Sequence, residues 1–223
     1  MAKITTSFFC QNCGAKSSKW IGKCPSCNEW NTYVEEIIQK DSRKINAFSR
    51  DRVVIPVSSK AIVDIQSENL SRFVTTDNEF NRVLGQGIVP GSLILLGGEP
   101  GIGKSTLLLQ LALKNRLKVL YVSGEESEHQ IKMRAERIGI ENPDCFILTE
   151  TNLEQVFEQL KKVEPQLLII DSIQTLYSSL VESAPGTVSQ IRECTGSLLR
   201  FAKENNVSVV LIGHITKDGA IAG

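Results

Sequence analysis

The 223-residue sequence has no apolar run approaching the roughly 20 residues that a membrane helix requires. It also lacks, at its amino end, the apolar stretch of a secretory leader. These absences exclude a spanning helix and leader-directed export, so no membrane partner is expected and the cytoplasm is the expected compartment. Net charge is missing too, since 25 Lys and Arg balance 25 Asp and Glu. The balance is uneven: residues 1–60 carry 10 basic against 5 acidic side chains, and the remainder 15 against 20. A basic front on an acidic body points either to a polyanion met from the amino-terminal side or to a solvated surface bias. Cys145 and Cys194 lack partners at ligand spacing and read as core residues. At 41% hydrophobic, the chain can bury one sizeable core and a small satellite domain.

What is present is organised around Gly97-Gly98-Glu99-Pro100-Gly101-Ile102-Gly103-Lys104-Ser105-Thr106. This satisfies G-x-x-x-x-G-K-[ST], with Gly98 first and Gly103 second. Gly98, Gly101 and Gly103 are expected to let the backbone take positive φ and approach a polyphosphate without a Cβ in the way. Pro100 stiffens the turn. The helix expected near Lys104 aims free N–H groups and its positive dipole end at the same anion. Lys104 would reach the β and γ phosphates, and the Ser105 hydroxyl would ligate Mg²⁺. An apolar run at residues 92–96 supplies the strand before the loop, and Leu107 to Ala112 continue the helix after it. Residues 98–106 are therefore the candidate ATP-binding segment.

Cys10-Gln-Asn-Cys13 and Cys24-Pro-Ser-Cys27 are two C-x-x-C knuckles ten residues apart. The spacing lets Cys10, Cys13, Cys24 and Cys27 converge on one Zn²⁺. A metal would supply the stability that so few residues cannot draw from a core. Paired disulfides would need an oxidising compartment, and a redox pair would use a single C-x-x-C. Residues 19–23 and 29–34 are expected to form short strands beside the knuckles. Lys16, Lys19, Lys23, Trp20 and Trp30 mix cations with aromatics, as a surface that stacks on bases does; packing of the tryptophans beside the metal is the alternative.

Residues 35–70 show no sustained periodicity and a basic excess, and read as a linker that becomes a strand at residues 53–57. Residues 75–85 form a short capped helix with Phe80, Val83 and Leu84 on one face. After the phosphate loop, Val119 to Val122 is a second strand, followed by Glu125 and Glu126. Either acid could polarise a water for attack on a γ phosphate, or both could only cap the helix at residues 127–138, although they would precede a cap at Ser127. Residues 144–148 form a third strand. Thr151 to Glu154 reads as a capping box opening a helix through Val163. Leu167-Leu168-Ile169-Ile170-Asp171 has the form of a Walker B strand, buried on both faces at the centre of a parallel sheet, with Asp171 holding Mg²⁺. Residues 178–186 suit a mobile surface loop. A helix at 189–205 precedes a strand at 207–212, and His214 beyond it would lie near the γ phosphate and could report its presence, or is simply a polar residue at a strand terminus.

Alternating strands and helices, one phosphate loop and a later apolar strand ending in Asp give an α/β fold of the RecA-like P-loop ATPase class, preceded by a rubredoxin-like zinc ribbon. Residues 1–34 are the ribbon, 35–70 the linker and 71–223 the ATPase domain. The combination of the four-Cys ribbon with residues 98–106, 121–127, 167–176 and 213–219 resembles the N-terminal half of the bacterial RadA (Sms) family. That resemblance implies a DNA-dependent ATPase of repair and recombination that uses ATP, Mg²⁺ and Zn²⁺ and binds single-stranded and branched DNA. It also implies branch migration alongside the RecA recombinase and assembly as a homo-hexameric ring. By the same resemblance Glu125 is the water activator, and Lys217 is a sensor candidate beside His214. Against the family pattern the sequence ends at Gly223, before a K-N-R-F-G motif and a domain resembling Lon protease, so an open sheet edge is expected. A nucleotide-gated binding module, with hydrolysis incidental, is the alternative function.

Overall fold

The computed structural model describes residues 4–39, 59, 61–64 and 71–214. The expected strand at 53–57 and the sensor candidate Lys217 lie outside the described residues.

The amino-terminal unit is a three-stranded antiparallel sheet of order β2-β1-β3, from β1 (Ile4–Cys10), β2 (Lys16–Ser17) and β3 (Tyr33–Gln39). The strands do not fall where the sequence placed them. Residues 19–23 are not a strand and contribute only an isolated bridge, Lys23 to Trp30; the strand leaving the second knuckle starts at Tyr33 and runs to Gln39, into the stretch read as linker. The knuckle turns consume the residues between, because Asn28 and Asn31 take positive φ. Among the described residues, Cys10, Cys24 and Tyr33 form the buried hydrophobic centre of this unit.

The larger unit is a parallel five-stranded sheet of order β4-β8-β7-β5-β6, built from β4 (Leu93–Gly98), β5 (Val119–Ser123), β6 (Cys145–Thr149), β7 (Leu167–Asp171) and β8 (Ser208–His214). Its helices are α1 (Asn78–Val83), α2 (Lys104–Lys114), α3 (Glu128–Ile138), α4 (Leu153–Val163) and α5 (Val188–Asn205). β5, β7 and β8 are apolar without alternation because both faces are covered. Leu120, Val122, Leu168, Ile170, Val209 and Leu211 pack towards α4 and α5, while their neighbours Val119, Tyr121, Leu167, Ile169, Val210 and Ile212 pack towards α2 and α3. Each such large side chain buried contributes roughly 1.5–3 kcal/mol. β7 is central, as its two-faced pattern requires, and β4 and β6 are the edges of the described sheet.

Local details depart from sequence expectation in three places. Asp77 caps α1, accepting from Phe80 N at 2.8 Å, but only Phe80 and Leu84 turn to the core; Val83 is exposed. Asn152 rather than Thr151 caps α4, and Glu154 is thereby freed to accept from Ser178 Oγ at 2.7 Å. The segment 178–186 is tied down, since Gln190 Nε2 donates to the carbonyls of Ser178, Val181 and Ser183 at 3.2, 2.8 and 2.9 Å.

The two units touch. Arg192 of α5 donates from Nη1 to Gly14 O and from Nη2 to Cys13 O, each at 3.0 Å, so the first knuckle rests on the front half of α5. Gly14 has φ +69°, and a Cβ there would run into the Arg192 guanidinium and Val188.

Candidate nucleotide site and metal centre

All five parallel strands end on one side, and the candidate nucleotide residues gather there, at the crevice that open α/β sheets offer to ligands. Gly103 caps α2 in the left-handed region at φ +95°, and Gly101 has φ +82°. Gly98 serves differently: it remains in the strand, and a Cβ on it would collide with Ile102 Cδ1 as the loop folds back. Glu99, Pro100, Gly101 and Ile102 form the exposed rim, with Ser105 half-buried and Thr106 exposed on the first turn of α2. Lys104 is buried, and its Nζ donates to Gly98 O and Glu99 O, both at 2.7 Å. Those carbonyls hold the ammonium inside the loop it must serve, where an anion would compete for it.

Asp171 closes β7 at 3% exposure, in register with Ser123 of β5. Tyr121 Oη donates to Asp171 Oδ2 at 2.5 Å, leaving Oδ1 as the oxygen without that bond. Burial, followed by the Asp171 charge, pushes the Tyr121 phenol far above its ordinary range, so it remains a donor. Sequence reasoning missed this tyrosine because it lies inside an apolar strand and looks like core.

Glu125 and Glu126 separate clearly in space. Glu126 is paired with Arg134 of α3, a contact that fixes it against the helix. Glu125 faces the crevice: Ser172 Oγ donates to its Oε1 at 2.7 Å, and His214 Nε2 lies 3.3 Å from the same oxygen. Ser127 caps α3 in a full capping box with Gln130, so neither acid is used as the cap. His214 stands opposite Gly98 in the β4–β8 register, which sets it beside the phosphate loop. Gln174 Nε2 donates to His214 O at 3.3 Å, while Gln174 Oε1 and His214 Nδ1 are buried without a hydrogen-bond partner among the described residues. Two orphaned polar atoms beside a phosphate loop are suited to ligand or water. Ser172 and Gln174 carry no motif; their adjacency to Asp171 was the available signal.

Cys10, Cys13, Cys24 and Cys27 lie with all four Sγ atoms within 4.8 Å of one another. Cys10–Cys27 and Cys13–Cys24 are 3.6 Å apart, and all four are free thiols. The tetrahedron edge for Zn–S bonds of about 2.3 Å is about 3.8 Å, so the thiols fit a four-coordinate zinc. Cys10 Sγ approaches Thr32 Oγ1 at 3.1 Å and Cys24 Sγ approaches Tyr33 Oη at 3.7 Å, which gives two ligands a hydroxyl partner of the kind that orients metal-bound thiolates. Burial pushes the Cys24 thiol up, but the backbone N–H groups of Cys27 and Ser26 and the Tyr33 hydroxyl outweigh it and bring it down to about 6. The hydrogen bond with Cys24, then burial, lifts Tyr33 to about 12. Cys145 and Cys194 stand apart, packed in the two cores as the sequence suggested. Among the described residues no helix is long and apolar enough to cross a membrane. The groove lined by Leu113, Ile140 and Cys145 lies at the amino ends of the strands, away from this chemistry.

Comparison with known proteins finds a family match for each unit. The AAA domain family matches residues 63–220, and the rubredoxin metal binding domain matches residues 8–35. DNA repair protein RadA of Listeria monocytogenes is 52% identical over the whole chain, that of Campylobacter jejuni 49% and that of Bacillus subtilis 47%. The chain spans 49%, 50% and 49% of those three relatives, about half their length. A KaiC-like protein from Pyrococcus horikoshii shares the fold, with TM-score 0.57 at 20% identity over 69% of this chain and 74% of its own.

Proposed function

The chain belongs to the AAA domain family and is similar along its whole length to DNA repair proteins RadA, and from that premise we propose that it is the nucleotide- and zinc-binding part of a DNA-dependent ATPase. Its task is repair by recombination in the cytoplasm: binding single-stranded and branched DNA and driving branch migration as a homo-hexameric ring beside a RecA-type recombinase. Residues 98–106 would hold ATP, Lys104 would neutralise its β and γ phosphates, and Ser105 and Asp171 would hold Mg²⁺. Zinc holds the ribbon in its fold through Cys10, Cys13, Cys24 and Cys27.

The observation that carries this reading is the convergence of Glu125 with Ser172 and His214 at the strand end in register with Gly98. Glu125 has the place of a group that accepts a proton from attacking water, and Ser172 fixes the oxygen that faces His214. Arrival of a γ phosphate would compete for His214 and release Glu125 to the water, which links hydrolysis to nucleotide state. Glu126 is assigned a structural part, through Arg134.

ATP turnover measured with and without single-stranded DNA, on this chain and on a version extended at its carboxyl end, tests the proposal. DNA-stimulated turnover that is lost in Lys104→Ala and Glu125→Gln is expected. Equal turnover in Lys104→Ala refutes it, and tight ATP binding without turnover in the extended version favours a nucleotide-gated binding module instead.

A further inference from the structure

The ribbon presents both of the chain's tryptophans to solvent. Trp20 is 55% exposed and Trp30 67%, which removes packing beside the metal as the reason for their presence. They are neighbours: Trp20 Cη2 and Cζ3 and Trp30 Cε3 all lie within 4 Å of the position a Cβ would take on Gly22. Gly22 is thus a bare floor between two indoles, held there because Asn31 N donates to Gly22 O at 2.7 Å and Lys23 bridges to Trp30. Lys23 Nζ lies 5.7 Å from the centroid of the Trp30 ring, and Lys19 is exposed alongside.

Two large aromatic surfaces in water need an explanation, and their size decides what kind. Together they offer roughly 300 Å² of indole, well below the about 800 Å² per partner of a stable protein interface. A nucleobase needs only one aromatic face, and its phosphate needs one cation within reach. We propose that Trp20 and Trp30 form a stacking platform for unpaired bases of a nucleic acid strand, with Lys19 and Lys23 on the adjoining phosphates. This deepens the single-stranded DNA part of the function proposed above and rests on it. The zinc centre then helps to keep the platform rigid, since the second knuckle lies between Trp20 and Trp30 in the chain and the bond from Asn31 N to Gly22 O ties its two flanks together.

The sequence contains only these two tryptophans, so intrinsic fluorescence reports on this face alone. The zinc-loaded chain is titrated with an oligothymidylate about 20 nucleotides long, and binding is followed at once by tryptophan emission and by anisotropy of a label on the oligonucleotide. Saturable quenching that tracks the anisotropy is expected, with affinity falling about tenfold in Trp20→Ala and in Trp30→Ala and recovering largely in the Phe variants. Lys23→Gln lowers the slope of log affinity against log salt by about 0.7, the counterion count for one phosphate on a single strand. Zinc content, measured on each variant by thiol displacement, establishes that the ribbon is intact. Saturating anisotropy with unchanged emission, or intact Trp variants of unaltered affinity, overturns the platform and leaves the DNA-binding function standing. Equal quenching by a duplex of the same length overturns it as well, because paired bases offer no free face. A concentration-dependent emission shift without DNA overturns it in favour of self-association. No change in anisotropy at all overturns both this inference and the DNA-binding function.

Discussion

Tyr121 and Asp171 sit on adjacent strands, and the phenol spends its one proton on a single oxygen of the buried carboxylate, at 2.5 Å. Removing that donor leaves Asp171 Oδ2 desolvated and unpaired. Tyr121→Phe is expected to lower stability by about 1–3 kcal/mol, read as a lower urea midpoint at constant slope. An unmoved midpoint would show that water replaces the phenol without cost.

The Arg192–Gly14 contact is expected to couple the ribbon to α5. Gly14→Ala forces a Cβ into the guanidinium at a positive φ, at a backbone cost of about 1–2 kcal/mol. Arg192→Ala removes two hydrogen bonds to the knuckle. The double variant should be less unstable than the sum of the singles, by about 0.5–3 kcal/mol. Strict additivity in chemical denaturation would mean that the two sites act independently.

Chelation should undo the ribbon first. Among the described residues its buried hydrophobic centre is Cys10, Cys24 and Tyr33, whereas the parallel sheet has a core on each face. Hydrogen exchange after a strong chelator should show β1 and β3 losing protection while β5 and β7 retain it. Acid should release the metal too, because protons compete with it for thiolates. One cooperative transition indifferent to chelation would contradict this.

Alkali should weaken the ATPase unit through its buried thiols. Burial first, then the Glu154 and Glu193 charges, raise Cys194 from an ordinary 9.0 to about 12, and burial raises Cys145 to about 11. A thiol whose folded pKa is raised stabilises fully below 9.0 and loses that contribution as pH climbs to 12. Stability should therefore decline above pH 9, and Cys194→Ala should flatten the decline. Identical alkaline profiles for the two proteins would exclude Cys194 as a cause.

Much of this was legible in the residues themselves. The loop at 98–106, the four cysteines and the two-faced apolar run of β7 each have a chemistry that admits few structures. The errors fall where tertiary contact outvotes local pattern. Thr151 and Asn152 both offer a capping oxygen, and the tie is broken by Ser178, whose hydroxyl claims Glu154 from a distant segment. Segment 178–186 looked loose because its composition is polar, yet Gln190 holds three of its carbonyls. Glu125 and Glu126 are adjacent and alike in sequence; Arg134, eight residues past Glu126, separates them, and no spacing rule says which acid it takes.

The strand order carries a consequence for how the molecule comes into being. β4, which leads into the phosphate loop, pairs only with β8 among the described strands, Leu93 meeting Val209. On the ribosome the loop emerges well before its partner, because Val209 lies more than a hundred residues beyond Leu93. Long-range parallel pairing of this kind forms slowly, so a nascent chain stays unable to grip nucleotide until β8 has cleared the exit tunnel and slid in between β4 and β7.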